Sequence, residues 1–209
     1  MTDVTAQTSL RERKKARTRA SLREHALRLF REQGYQATTV EQIAAAAEVS
    51  PSTFFRYFPT KEDLVLQDDI DDRVLRALAR QPAGLAPLAA IRAAMREAWN
   101  SFTPDEWEQI AQGAWLSMEV PEIRARSMNE FARTINTISA ALALRTGRCA
   151  DEMPVRVMAG AVVGAMMAIF LPEHLRDDDT PEGVASYIGP DAVARIDEAL
   201  ALLEAGLPL

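Results

Sequence analysis

Cysteine and histidine are almost absent: the 209 residues contain one Cys149 and two histidines, His25 and His174. A single thiol excludes a disulfide framework and any multi-cysteine zinc site. Two histidines argue against most histidine-based metal or triad chemistry. Strand signals are nearly missing as well. Alternating Val/Ile/Thr runs do not occur, while Ala, Leu, Glu and Arg dominate. There is no internal repeat and no low-complexity tract. No apolar stretch flanks the basic N-terminal cluster, so no secretory signal is read there. The most apolar run, Val155 to Leu171, is 17 residues long, carries Arg156 and is bounded by Pro154 and Pro172. That reads as a buried helix rather than a bilayer span. The expectation is a cytoplasmic protein with no membrane partner. What is present is a hydrophobic fraction of 48% and a charged fraction of 26%, which excludes wholesale disorder and allows a real core.

Charge is unevenly placed. Residues 1–66 carry 11 Lys/Arg against 8 Asp/Glu, a net of +3, and the remainder carries 13 against 22, a net of −9. A basic end on an acidic body points to one segment that meets a polyanion and another that does not. The basic residues concentrate in Arg11, Arg13, Lys14, Lys15, Arg17 and Arg19. A solvated helix start or a loose tail would look the same on charge alone.

Helical spacing recurs along the chain. Leu22, Ala26, Leu29 and Phe30 share one face of a helix that ends before Gly34. Thr38 with Glu41, or Thr39 with Gln42, forms a capping box for a short second helix whose inner face is Val40, Ile43, Ala44 and Ala47. Ser50 followed by Pro51 starts a third helix, which stops at Phe58 because Pro59 disfavours helical geometry there. Phe54 and Phe58 anchor it inward. A Thr60/Asp63 cap opens a fourth, longer helix through Leu64, Ile70, Val74 and Leu78 towards Gln81. Further helices are expected over Pro87 to Phe102, from Thr103 to about Met118, Pro121 to Thr146, Pro154 to Leu171 and Pro190 to Ala205. Arg176 to Gly183 reads as a loop.

The informative segment is Thr38 to Leu64, TTVEQIAAAAEVSPSTFFRYFPTKEDL. Two short helices separated by Ala47-Glu48-Val49 have the dimensions of a helix-turn-helix. The second begins with Ser50, Ser52 and Thr53, whose short side chains allow close approach to phosphates or base edges. Arg56 and Tyr57 follow one turn later, and Lys61 opens the next helix. Such a module places its second helix in the major groove. Any three-helix cluster could share this cap spacing; the run Phe54-Phe55-Arg56-Tyr57-Phe58-Pro59-Thr60-Lys61-Glu62-Asp63-Leu64 is far more specific.

Over residues 11–66 the chain resembles the TetR family of bacterial transcriptional regulators. The resemblance is carried by the basic first helix, Gly34-Tyr35, Ala37-Thr38-Thr39-Val40, Ile43-Ala44, Val49-Ser50 and Thr53 through Leu64. It implies an all-α homodimer. Each chain would have an N-terminal three-helix helix-turn-helix domain and a larger helical ligand-binding and dimerisation domain, about nine helices in all. The expected division is a disordered tail at 1–10, a DNA-binding domain at 11–66 and an effector and dimer domain at 67–209. By position the resemblance implies phosphate contacts from Thr38 or Thr39, Tyr57 and Lys61, and base-proximal positions at Pro51, Ser52, Phe55 and Arg56. Together with Ser50 and Thr53 these form the candidate DNA-binding set. Phe55-Arg56-Tyr57 departs from the family's common tyrosine, tyrosine, histidine. Phe55 cannot donate to a phosphate and suits apolar contact, for example with a thymine methyl. Arg56 suits guanine or phosphate, and the sequence does not choose between them.

Residues 84–172 hold all three tryptophans and most of the methionines. Trp99, Phe102, Trp107, Trp115, Met118, Met128 and Phe131 read either as simple core or as the lining of an apolar pocket. Trp115 to Phe131 is similar to a TetR subgroup associated with acyl-CoA-like ligands. That similarity implies a phosphate or carboxylate contact for Arg124 or Arg126, with a solvated face as the alternative. The candidate ligand-binding set is Trp99, Phe102, Trp115, Met118, Arg124, Met128 and Phe131. Gly160, Gly164, Ala161, Ala165 and Ala168 allow close helix packing, and the family places the last two long helices at the subunit interface. The homodimer is therefore expected through residues 154–171 and 190–205.

The expected partners are double-stranded operator DNA, a second copy of the chain and an apolar, acyl-type small molecule that releases a repressor from a palindromic site. No cofactor, metal or enzymatic activity is expected, because no nucleophile–base pair, metal-ligand cluster or phosphate-cradling loop stands out. An acyl-binding helical carrier or enzyme is the competing class, and an activator is the competing role.

Overall fold

The computed structural model describes residues 3–66, 69–170, 184 and 187–207. His174, the loop expected over Arg176 to Gly183 and Leu171 at the end of the expected dimer segment lie outside them. Among the described residues every regular element is helical: α1 (Asp3–Gln33), α2 (Val40–Ala46), α3 (Pro51–Tyr57), a 3-10 turn (Glu62–Leu64), α4 (Asp69–Arg80), α5 (Pro87–Trp99), α6 (Pro104–Glu119), α7 (Pro121–Thr146), α8 (Met153–Phe170) and α9 (Ala192–Glu204). The chain divides into two compact units, Met1–Leu66 and Gln67–Leu209.

In the first unit α1 begins at Asp3, so residues 3–10, expected as a disordered tail, are its first turns. Its buried face is Leu22, Ala26, Leu27 and Phe30, with Leu29 only half-buried. Gly34 closes the helix at φ +85°, its N–H donating to the Phe30 carbonyl at 3.1 Å. Of the two possible capping boxes, Thr39 with Gln42 is the one formed. The Gln42 N–H donates to Thr39 Oγ1 at 3.2 Å, and the Thr39 N–H donates to Gln42 Oε1 at 2.9 Å. At the other end of α2, Val49 N–H reaches the Ala44 carbonyl at 2.9 Å and Glu48 N–H the Ala45 carbonyl at 3.1 Å. That is a Schellman closure whose left-handed position, φ +55°, is held by Glu48 where glycine is usual. α3 starts at the Ser50 cap, whose Oγ accepts from Thr53 N–H at 3.1 Å, with Pro51 at the first helical position. It ends at Phe58, in extended backbone before Pro59.

The predicted long fourth helix is not formed as one element. Asp63 Oδ2 does accept from the Thr60 N–H at 3.0 Å and hydroxyl at 2.9 Å, but only the short turn Glu62–Leu64 follows, and α4 starts at Asp69. The cause lies in α1. Arg23 Nε donates to the Leu64 carbonyl at 2.9 Å and its NH2 donates to the Leu66 carbonyl. Those are the acceptors that a continuous helix would offer to the amides of residues 68 and 70.

In the second unit α4 packs on α5, α5 on α9, α8 on both α7 and α9, and α6 on α7. α5 stops at Trp99, three residues short of the expected end, and a turn with Phe102 N–H donating to the Trp99 carbonyl at 3.3 Å folds Phe102 back. Thr103 and Glu106 form the reciprocal box that opens α6, with Pro104 at its first position. Val120 ends α6 and Pro121 restarts the chain as α7, which Gly147 closes at φ +68°. α8 is long and apolar enough to cross a membrane by length and composition. Val155, Ala159, Val162, Val163, Met166 and Ile169 instead form one buried face in the core of the unit. The outer face of α8 carries Met153, Val157, Gly164 and Ala168, all exposed. Arg92 clamps α5 to α9. Its Nε and NH2 donate to Asp197 Oδ1 at 2.8 Å and Oδ2 at 2.6 Å, and its NH1 to Glu204 at 2.8 Å.

Candidate nucleic-acid interface and effector core

Two phenylalanines hold the short helix α3 in place. Phe54 and Phe58 are wholly buried with ring centroids 6.0 Å apart, and the Arg19 guanidinium lies 4.5 Å above the Phe58 ring. Arg19 also donates to the Tyr57 carbonyl at 3.3 Å, at the open end of the helix. Pinned in this way, α3 turns Pro51, Ser52, Phe55 and Arg56 to the surface, with Thr53 and Tyr57 half-buried. Phe55 is 52% exposed and meets the buried Phe54 edge-on at 5.3 Å, which fixes its ring while leaving its outer side open. The Arg56 guanidinium lies 5.3 Å from the centre of the Tyr57 ring. The hydroxyls of Ser50, Ser52 and Thr53 form a small cluster, with Ser50 Oγ 2.8 Å from Ser52 Oγ and 3.0 Å from Thr53 Oγ1. Along α1, Arg11, Arg13, Lys14, Lys15 and Arg17 are exposed.

Two members of the expected DNA-binding set have partners inside the fold. Thr38 is 1% exposed, and its hydroxyl donates to the Gly34 carbonyl at 2.8 Å while Gln33 donates to it at 3.1 Å. It closes the α1–α2 turn and does not face a phosphate; Thr39 beside it is exposed. Lys61 Nζ donates to the Tyr35 carbonyl at 2.8 Å and the Thr38 carbonyl at 3.0 Å, and sits 3.9 Å from the Tyr35 ring centre. Two of its three donors are therefore committed to the fold. The same corner holds Tyr35 with its hydroxyl bonded to Glu62. Burial pushes the Glu62 carboxyl up, but that hydrogen bond, backbone and Thr60 contacts and the Lys61 charge outweigh it and hold the group below its ordinary value. Arg19, counted with the basic cluster, is half-buried and likewise tied to the fold. The Lys61, Tyr35–Glu62 and Arg19 brackets were not legible in the sequence because each joins residues more than twenty positions apart.

In the second unit Trp99 and Phe102 come together, with ring centroids 5.3 Å apart. Trp107 stacks on Trp99 at 5.4 Å and Phe170 at 4.9 Å, making a four-ring cluster. Phe170 carried no signal in the sequence beyond its place at the end of an apolar run. Arg73 of α4 lies 4.3 Å over the Phe102 ring and pairs with Glu106, whose other oxygen caps the Thr103 N–H at 2.8 Å. Trp115, Met118 and Phe131 are half-buried against the same core. Met128 is 37% exposed and faces out of it.

Arg124, expected as a ligand contact, is tied to the end of α6. Its Nε donates to the Ser117 carbonyl at 3.1 Å and its NH2 to the Met118 carbonyl, capping the end of α6. Arg126 lies 3.6 Å from Glu130. Between α6 and α7, Ser117 and Ser127 meet at 3.0 Å, each hydroxyl also bonded one turn back to the carbonyl of Gly113 or Ile123. Asp71 of α4 accepts from Thr134 of α7 at 3.0 Å; burial raises its carboxyl above the ordinary value despite that bond, and Glu130 and Asp72 add to the rise. Among the described residues no group of His, Cys, Asp and Glu could hold a metal ion.

Residues 22–67 match the family described as bacterial regulatory proteins, tetR family, and residues 85–208 match the MftR C-terminal domain. The chain is 37% identical over 150 residues to the HTH-type transcriptional regulator TcmR of Streptomyces glaucescens, a match spanning 68% of this chain and 66% of that protein. It is 28% identical over 182 residues to the regulator MftR of Mycobacterium tuberculosis, covering 79% of this chain and 84% of the other. Among solved structures, Thermus thermophilus FadR, a TetR-family transcriptional repressor in complex with lauroyl-CoA, is similar with a TM-score of 0.54 at 26% identity. That likeness covers 91% of this chain and 95% of FadR.

Proposed function

The chain belongs to the TetR family of bacterial regulatory proteins, whose members are transcriptional regulators rather than enzymes, and from that premise we propose a ligand-responsive repressor. In this reading it acts in the cytoplasm as a homodimer on a palindromic operator and is released by an apolar or acyl-type small molecule. The observation that carries the DNA half is α3 itself: Phe54 and Phe58 lock it while Pro51, Ser52, Phe55 and Arg56 stand exposed. That is the arrangement a recognition helix needs in a major groove. Thr39, the Ser50–Ser52–Thr53 hydroxyl cluster and Tyr57 border it, and the exposed cations of α1 supply backbone attraction. Thr38 and Lys61 support this surface from beneath.

The effector half rests on the apolar core around Trp99, Phe102, Trp115, Met118 and Phe131 and on the likeness to FadR, which was solved with an acyl-CoA. The dimer half rests on the outer faces of α8 and α9. Met153 is 72%, Val157 60% and Leu202 44% exposed, and a Cβ added at Gly160 or Gly164 would meet nothing in the single chain. Apolar and small side chains in that pattern suit a second copy packed closely against them.

Gel shift with DNA flanking the protein's own gene tests the whole reading. A shift that weakens steeply with salt is expected, and none with any upstream fragment overturns it. Arg56→Ala loses about 5- to 100-fold on the operator if Arg56 reads a base. Equal loss on operator and scrambled DNA assigns it to phosphate.

A further inference from the structure

Trp99 is 3% exposed, yet its indole Nε1 is buried with no hydrogen-bond partner. A buried indole N–H normally finds an acceptor, and an orphaned donor carries the full penalty of its lost hydration. Three rings crowd Trp99: Trp107 stacks on it at an interplanar angle of 29° and Phe170 at 18°, while Phe102 sits 5.3 Å away at a tilt. An acceptor of the indole proton lies at the nitrogen edge, in the plane of the ring.

The chemistry of that acceptor follows from the cation set against the aromatic cluster. Arg73, 4.3 Å over the Phe102 ring, is paired with Glu106 and so is already committed to a carboxylate. A carboxylate or phosphate set against one neutral N–H would bring its charge into an aromatic cluster without compensation, which is costly. A ketone, ester, amide or quinone oxygen needs only the single bond that the indole offers.

We propose that the Trp99 indole N–H is the polar anchor of the effector site, and that the group it holds is an uncharged carbonyl-type oxygen on an apolar body. This deepens, and rests on, the reading of the second unit as the ligand-binding part.

The test uses the full chain with 15N-labelled tryptophan and two probes of nearly equal size, 2-acetylnaphthalene and 2-ethylnaphthalene, with lauroyl-CoA as a third. The Trp99 indole signal is identified by its loss in Trp99→Phe. On adding the ketone, the Trp99 indole proton moves downfield and those of Trp107 and Trp115 do not. The ketone binds about tenfold more tightly than the hydrocarbon, and that preference falls to near one in Trp99→Phe. Because the preference is a ratio measured on each protein, loss of packing in the variant does not mimic it. The proposal is overturned if the ketone fails to bind, if the two naphthalenes bind equally to the unsubstituted chain, or if the free protein shows an internal water bonded to the Trp99 proton. Release of operator DNA by lauroyl-CoA with the Trp99 signal unmoved overturns this proposal and leaves the repressor reading standing. Absence of any operator binding defeats the repressor reading, while the indole measurement still decides the anchor.

Discussion

In the N-terminal unit Arg19 and Arg23 reach main-chain carbonyls and an aromatic face, whereas in the C-terminal unit Arg73, Arg80 and Arg92 meet carboxylates. Neutral carbonyls satisfy a guanidinium without setting a carboxylate beside it, and through such bonds Arg19 and Arg23 brace the first unit, of net charge +3. In the second unit, at −9, those three cations are paired with carboxylates, while Arg124 there also binds main-chain carbonyls. The units differ inside as well. Among the described residues, the buried polar side-chain atoms without a hydrogen-bond partner all belong to the second unit: Trp99 Nε1, Ser139 Oγ, Arg145 Nε and two nitrogens of Arg195. Among the described residues the second unit alone has buried polar atoms left over, and the proposed anchor at Trp99 draws on one of them.

The largest expected blow to this contrast is Phe54→Ala. Removing a wholly buried ring from a three-helix unit costs about 3–5 kcal/mol, comparable with the whole stability of so small a unit. Thermal unfolding followed by amide NMR should show α1 to α3 lost at room temperature while α5 to α9 persist. A single cooperative melt of both units would break the picture of two separately built bodies.

Arg23→Met comes next. It leaves the buried carbonyl of Leu64 and the part-buried carbonyl of Leu66 without their charged donor, a loss of about 2 kcal/mol, read as a lower denaturation midpoint for the first unit. An unchanged midpoint would mean that water replaces the guanidinium.

Arg92→Ala probes the carboxylate strategy of the second unit and is expected to cost about 1 kcal/mol near neutrality, because the pair is part-exposed. The hydrogen-bonded Arg92 guanidinium holds the Asp197 carboxyl below its ordinary value and is itself raised. A carboxylate depressed in the folded state contributes stability above its unfolded value and loses it as pH falls through the folded one. The gap between the two proteins should therefore close in acid; a gap that stays constant with pH would assign the effect to packing alone.

The smallest effect has the opposite sign. Glu48 holds φ +55° at the Schellman closure, a conformation that costs an ordinary residue about 1 kcal/mol relative to glycine. Glu48→Gly should raise the midpoint of the first unit by that order, and a drop would show that the Glu48 side chain does more than terminate α2.

Helix starts were legible because their chemistry is local. Thr39 with Gln42, Ser50 with Thr53 and Thr103 with Glu106 each join groups three residues apart, and proline or Gly147 marks the ends. The fourth helix misled for the complementary reason. Its cap residues were correct, but the carbonyls it needed were taken by Arg23, more than forty residues earlier. Thr38, Lys61 and Arg124 share another lesson: each is a polar residue at a plausible contact position that the folded chain also ties to its own carbonyl groups.

By itself, then, the sequence determined that the protein is all helical, where most helices begin and end, and that a basic helix-turn-helix segment sits ahead of an acidic helical body. Those follow from composition, periodicity and caps, which act over one or two turns. Only the tertiary structure decided which cations remain exposed, which hydroxyls are consumed, and that Trp99 is stacked against Trp107 and Phe170 with its N–H unanswered. Satisfaction of a buried polar group depends on what distant segments bring to it, and no local pattern carries that information.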